Sequence, residues 1–194
     1  MGKIVATEFI SLDGVIEDPG GAEDYAHGGW TFEIDRGEEG NKFKLGELEE
    51  AEAQLLGRVT YEGFAAAWPE REGDPDMGGF AKKMNTMPKY VYSHTLESAD
   101  WQNTTVLSGD LATDTARVKE EIDGDILIAG SARLVQGLLA ADLLDELRLM
   151  LFPVVLGGGK RLFAEDGRKA PLALTDARTV GDGVQLLTYE RTAA

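Results

Sequence analysis

The sequence predicts an α/β domain built on a mostly parallel sheet and closed by an antiparallel C-terminal hairpin. Three observations carry that prediction. Short β-branched or apolar runs alternate with helix-like segments from residue 3 to residue 155, the pattern of strand–crossover–strand units. Two late apolar runs, Leu172–Ala177 and Val184–Glu190, flank a Gly181-Asp182-Gly183 turn, as an antiparallel pair does. Apolar residues make up 43% and charged residues 28% of 194 residues, enough for the core of one domain spanning 1–194.

Lys3–Phe9 (KIVATEF) opens the chain as a β-branched strand. Pro19, Gly20, Gly21, Gly28 and Gly29 then crowd a short stretch, which reads as a surface loop. Leu45, Leu48, Ala51 and Leu55 recur at a spacing of 3–4, so a helix is expected over Gly46–Leu55, running into a short buried strand at Leu55–Arg58. Thr60–Ala67 reads as a helix with Thr60 as its N-cap. Residues 69–79 are polar and loop-like, and a short helix is expected at Phe80–Met84. Strands follow at Lys89–Ser93, Thr104–Leu107 and Asp125–Ala129, with a charged helix at Asp114–Ile122 between the last two. Ala132–Ala141 carries Leu134, Val135, Leu138 and Leu139 and reads as a helix; Glu146–Val155 is a long strand ending in the Pro153–Gly159 turn.

Charge and composition exclude several classes of function. Lys plus Arg number 19 against 35 Asp plus Glu, a formal net charge of −16. So acidic a chain is a poor general binder of nucleic acid or anionic lipid, and any anionic ligand needs a locally positive pocket. With no cysteine and only His27 and His94, disulfides, thiolate catalysis and Cys- or His-rich metal centres are ruled out. No 18-residue apolar run occurs, and the start MGKIVATEFISLDG lacks the layout of a signal peptide, so a cytoplasmic location is expected. Gly157-Gly158-Gly159-Lys160-Arg161 is not a P-loop, because Val154 stands at the first glycine position and Arg161 replaces the hydroxyl.

Chemistry is expected where strands end and helices begin. In a parallel sheet the carboxyl ends of the strands face helix N-termini, whose free N–H groups and positive dipole ends attract anions. Three such junctions occur: Gly57-Arg58-Val59-Thr60, Ser93-His94-Thr95 and Gly130-Ser131-Ala132-Arg133. Together they could seat a phosphorylated dinucleotide; singly, glycines at strand ends also serve tight turns.

The order of these pieces is what resembles a family. Leu56-Gly57-Arg58-Val59-Thr60 resembles the Gly-Arg-x-Thr signature of dihydrofolate reductases. Ser11-Leu12-Asp13-Gly14 is similar to the opening motif of the riboflavin-pathway reductase domain, and the run Asp125–Gly130 followed later by Pro153–Gly159 completes the pattern. The chain thus looks like a stand-alone dihydrofolate-reductase-like protein of the riboflavin-reductase C-terminal domain type, from Lys3 to about Phe163. This implies a three-layer fold with helices on both faces of the sheet, and an NADPH-dependent reductase acting on a small conjugated or heterocyclic substrate. A nucleotide-binding or sensing module of the same fold without turnover is the alternative. A homodimer is expected on the same resemblance and on the apolar strand Leu147–Val155.

The resemblance also implies roles for residues. Arg58 would meet the 2′-phosphate of NADPH, with Ser93 and His94 beside it. Thr60 with Gly57 would meet the pyrophosphate from one side, and Gly130, Ser131, Ala132, Arg133 and Leu134 from the other. The Asp13–Trp30 loop would be a lid excluding water from hydride transfer. Trp30 followed five residues later by Asp35 matches the family spacing of tryptophan and substrate-fixing acid. Asp35, expected to be partly buried, is therefore the first candidate for substrate anchor or proton relay, Asp13 the second, and Trp30 the aromatic expected to stack on a flat substrate. The pattern departs from the riboflavin enzymes where Ile128 stands at their substrate-binding glutamate and where Tyr61-Glu62-Gly63-Phe64 replaces a charged segment, which points away from the riboflavin intermediate as substrate.

Overall fold

The computed structural model describes residues 1–166 and 168–192. Eight strands form one sheet: β1 Lys3–Ser11, β2 Ala51–Gly57, β3 Lys89–Tyr92, β4 Thr104–Leu107, β5 Asp125–Ala129, β6 Glu146–Phe152, β7 Leu172–Val180 and β8 Val184–Arg191. Their order is β4-β3-β2-β5-β1-β6-β8-β7. The first six run parallel and β8 pairs antiparallel with both β6 and β7. Five α-helices cross over between strands: α1 Gly37–Glu50, α2 Arg58–Ala67, α3 Gly78–Thr86, α4 Leu111–Glu121 and α5 Ala132–Ala140.

The period-2 alternation of β1 explains the two helical layers. Ile4, Ala6 and Ile10 pack with Val118 of α4 and Leu134, Val135 and Leu138 of α5. Val5 packs on the opposite face with Leu48 of α1, Tyr61 of α2 and Met84 of α3. This is the expected dihydrofolate-reductase-like three-layer arrangement with its C-terminal hairpin. A third apolar cluster joins Trp30, Phe152, Val180, Val184 and Leu186 where the segment after β1 meets that hairpin.

Several bounds differ from expectation: β6 ends at Phe152 rather than Val155, and α4 spans Leu111–Glu121 rather than Asp114–Ile122. The helix placed over Gly46–Leu55 begins earlier and stops earlier: α1 ends at Glu50, and Ala51–Gly57 is a strand. Ala51, Ala53, Leu55 and Leu56 are all buried, and pairing with β5 and β3 outweighs their 3–4 spacing. Thr60 is not an N-cap. Helix α2 begins at Arg58 after Gly57, which freed the Thr60 hydroxyl for a longer-range bond. Helix α3 closes on a buried cation: Lys89 Nζ donates to the carbonyls of Met84, Asn85 and Met87 at 2.7–3.1 Å and lies 4.3 Å from the Trp101 ring centroid. Among the described residues no helix is long and apolar enough to cross a membrane, and no cluster of metal-ligating side chains occurs.

Candidate functional site

The parallel topology brings Gly57, Ser93 and Gly130 to one edge of the sheet, because Gly57 ends β2 while Ser93 and Gly130 follow the carboxyl ends of β3 and β5. Two of the three junctions are tied together. Ser131 Oγ accepts from the Gly57 N–H at 2.9 Å and donates to Thr60 Oγ1 at 3.0 Å, while the Ser131 N–H donates to Thr60 Oγ1 at 3.1 Å. The starts of α2 and α5 are thereby locked side by side. Gly130 and Ser131 both have positive φ, +65° and +61°. A Cβ on Gly130 would stand 3.2 Å from Thr60 Oγ1 and be strained at this positive φ, so glycine suits this approach. A non-glycine residue held in the left-handed region is strained, and here the Thr60 and Gly57 bonds hold it.

Neither α2 nor α5 has a side-chain cap, so the first-turn N–H groups of two helices lie at one junction with no side-chain acceptor. Arg58 and Arg133 stand in those first turns and are exposed. Arg58 is held by a two-pronged bond to Glu62 at 2.9 and 3.0 Å. No described carboxylate pairs with Arg133, an exposed cation on a strongly negative chain. Ser93 is buried and accepts from the Thr95 and Leu96 N–H groups, shaping the turn after β3. His94 is exposed and packs edge-on against Tyr92. The Leu134 side chain lies in the core, so only its backbone belongs to the junction. Gly57, Arg58, Thr60 and Gly130–Leu134 are thus brought together, whereas Ser93 and His94 follow a different strand end.

The segment after β1 is fastened to the segment after β6. Asp13 accepts from the Ser11 hydroxyl at 2.7 Å and from the Leu156 and Gly157 N–H groups at 3.1 and 2.9 Å. The Ser11 hydroxyl and then the Leu156 amide hold its carboxyl down at a pKa of about 2. Lys160 pairs with Glu17 and Glu23 at 2.9 and 3.0 Å, and the Tyr25 hydroxyl donates to the Gly158 carbonyl. Asp13 is therefore a latch: a carboxyl ionised at every pH above about 3 holds no proton to deliver.

Asp35 and Trp30 lie elsewhere than their spacing implied. Asp35 is exposed, not partly buried; its carboxylate accepts from Gly37 N–H at 2.7 Å at the start of α1, and its carbonyl accepts from Asp182 N–H in the β7–β8 turn. Trp30 is 2% exposed, edge-on to Phe152 with ring centroids 5.4 Å apart, and its indole N–H donates to the Glu17 carbonyl. It is a packing residue of the third cluster and offers no free face for a substrate.

Among the buried carboxylates, which also include Asp18, Asp114 and Glu146, two that sequence reasoning missed stand at β1: Glu8 and Glu47. Glu47 Oε2 accepts from Thr7 Oγ1 at 2.8 Å and pairs with Lys44 at 2.8 Å, between α1 and β1. Glu8 lies in β1 just past the Thr7↔Ala129 register pair, and its Oε2 accepts from Gly130 N–H at 3.1 Å. Burial pushes its carboxyl well above the usual range. The signal was present: a strand inside a parallel sheet reads as a continuous apolar run, and Glu8 interrupts one.

The comparisons with known proteins agree with this architecture. The RibD C-terminal domain family matches residues 2–186. The uncharacterized protein YwjB of Bacillus subtilis is 31% identical over 184 residues, covering 95% of this chain and 95% of YwjB. A riboflavin biosynthesis-like protein of Shewanella sp. PV-4 superposes with a TM-score of 0.76 at 22% identity, covering 98% of this chain and 99% of that one. Dihydrofolate reductase from Enterococcus faecalis, solved with NADP(H), superposes with a TM-score of 0.57 at 16% identity over 98% and 97% of the two chains. With the family profile spanning nearly the whole sheet and every junction described above, the chain belongs to the RibD C-terminal domain family, a reductase-type family with the dihydrofolate reductase fold.

Proposed function

We propose that the protein is an NADPH-dependent reductase of a small conjugated or heterocyclic substrate. The observation that carries this reading is the junction of α2 and α5, where two uncapped helix starts are cross-tied by Thr60, Ser131 and Gly57. The residues fit a dinucleotide. The first-turn amides suit a diphosphate, Gly130 leaves room for close approach, and Arg58 and Arg133 bring positive charge to this edge of a chain whose net charge is −16. Membership of the RibD C-terminal domain family and the fold shared with an NADP(H)-bound reductase support the same cofactor.

NADPH, when bound, supplies hydride. The chain's own residues bind and enclose. Arg58 must exchange Glu62 for a phosphate, which favours a doubly charged 2′-phosphate over the hydroxyl of NADH. The Asp13 latch and the Lys160 ion pairs hold the lid against residues 156–161, which limits the access of water. A second reading, dinucleotide binding without turnover, is favoured by one observation: Asp13 is held ionised and Asp35 is exposed, so neither acid is placed as a buried proton donor.

Titration with NADPH and NADH, followed by nicotinamide fluorescence, separates these readings from their failure. Saturable binding that prefers NADPH and weakens about tenfold in Arg58→Ala supports the cofactor site. NADPH oxidation on addition of pterins, flavin precursors or conjugated carbonyls supports the reductase, and binding without oxidation supports the second reading. No binding of either nucleotide contradicts both.

A further inference from the structure

Glu8 is the most unusual group at this edge of the sheet. It is 3% exposed, and its Oε1 is buried with no hydrogen-bond partner. Its Oε2 receives a single donor, the N–H of Gly130. An ionised carboxylate has room for about four donors and is strongly destabilised in a buried site that offers one. The uncharged acid suits the same surroundings: one oxygen accepts from the Gly130 amide while the other carries a proton. The charged groups acting on Glu8 are Lys44, which favours ionisation, and Glu47, which opposes it, both from α1; the α5 side contributes the Gly130 amide.

The position matters because of what lies beyond Gly130. Four N–H groups of the junction, those of Gly57, Gly130, Ser131 and Leu134, are committed to protein acceptors, and the Gly130 amide is turned toward Glu8. The remaining first-turn amides, those of Arg58–Thr60 in α2 and Ala132–Arg133 in α5, are left to meet an anion. A full negative charge on Glu8, one hydrogen bond from the Gly130 peptide that leads into α5, would oppose the anion those turns attract.

We propose that Glu8 is a positioning residue of the cradle: its buried carboxyl, carrying its proton, orients the Gly130 peptide, and a dinucleotide diphosphate binds only while that proton is held. This rests on the reading of the α2–α5 junction as an NADPH site. Ionisation of Glu8 and occupation of the cradle are then mutually exclusive, and binding at high pH draws a proton into the protein.

The test compares wild type with Glu8→Gln and Glu8→Ala. NADPH affinity is measured between about pH 6 and about pH 10, and calorimetry in two buffers of different ionisation enthalpy counts protons taken up on binding. Wild-type affinity is expected to fall toward about tenfold per pH unit once Glu8 ionises, with uptake of up to about one proton. Glu8→Gln, isosteric and permanently neutral, is expected to lose that slope and that proton while binding as tightly as wild type at about pH 6. Glu8→Ala, without an acceptor for Gly130, is expected to bind more weakly at every pH and also without the slope. The ionisation of the NADPH 2′-phosphate is common to all three proteins and drops out of the comparison. A shared pH profile and shared proton uptake in wild type and Glu8→Gln would overturn the inference while leaving the cofactor site standing. Absence of NADPH binding by wild type at about pH 6 would overturn both.

Discussion

Glu8 and Asp13 are carboxylates five positions apart on the same strand exit, and their surroundings give them opposite characters. Glu8 lies inside the sheet, receives one amide hydrogen and is pushed toward its neutral form by burial. Asp13 sits just beyond the strand and takes three hydrogens from a hydroxyl and two amides, which hold it ionised to a pKa of about 2. The supply of donors, rather than residue type, separates a group that carries a proton from one that fastens a loop. Lys89 adds a third case, a buried charge with three carbonyl acceptors, which is a satisfied structural cap although burial draws its amine down to about 8.

Substitutions ranked by expected effect sharpen this comparison. Lys89→Met strands three carbonyls at the end of α3, and a loss of about 2–4 kcal/mol in urea unfolding is expected. A wild-type-like midpoint would mean that the buried cation contributes nothing. Gly130→Ala forces a Cβ against Thr60 at positive φ; about 1–3 kcal/mol of stability should be lost, together with at least about tenfold in NADPH affinity. Unchanged NADPH binding in that variant would separate the junction from the cofactor.

Asp13→Asn is expected to be milder, because the group is partly exposed and solvent screens it: roughly 1 kcal/mol at neutral pH. The sign follows from a pKa lowered from 3.8 to about 2. The contribution is fully present above about pH 4 and fades as the pH falls through about 2, so the difference between wild type and variant should shrink over that window. A difference that grows on acidification would contradict the latch. Asp35→Asn should be nearly silent, with a change below about 0.5 kcal/mol and NADPH affinity unaltered, since the side chain is exposed and makes one local bond. A large loss of turnover in Asp35→Asn, with binding intact, would restore it as a substrate-side acid.

Elements whose apolar residues form continuous runs were legible in the sequence. Thr104–Leu107 and Asp125–Ala129 match β4 and β5 residue for residue, because short apolar runs between polar loops have few alternatives. Helix α1 was displaced because half of its residues are charged, while the alanines and leucines that follow it satisfy helical spacing and strand burial alike. At the site, the glycine junctions were legible from strand ends, but the bond of Thr60 to Ser131, 71 residues apart, depends on the crossover of β5 beside β2. Trp30 and Asp35 matched a spacing, yet spacing says nothing of burial, and the tertiary packing buried the tryptophan and left the acid in solvent. Glu8 was legible only as an interruption of an apolar run.

The central claim is that the starts of α2 and α5 form one dinucleotide cradle. Amide chemical shifts recorded while NADPH is added to the labelled protein test it most directly. The account predicts saturable shifts that begin at Arg58–Thr60 and Ala132–Arg133 together, with one shared dissociation constant. Shifts confined to one of these helix starts, or absent from both while NADPH binds elsewhere, would contradict it.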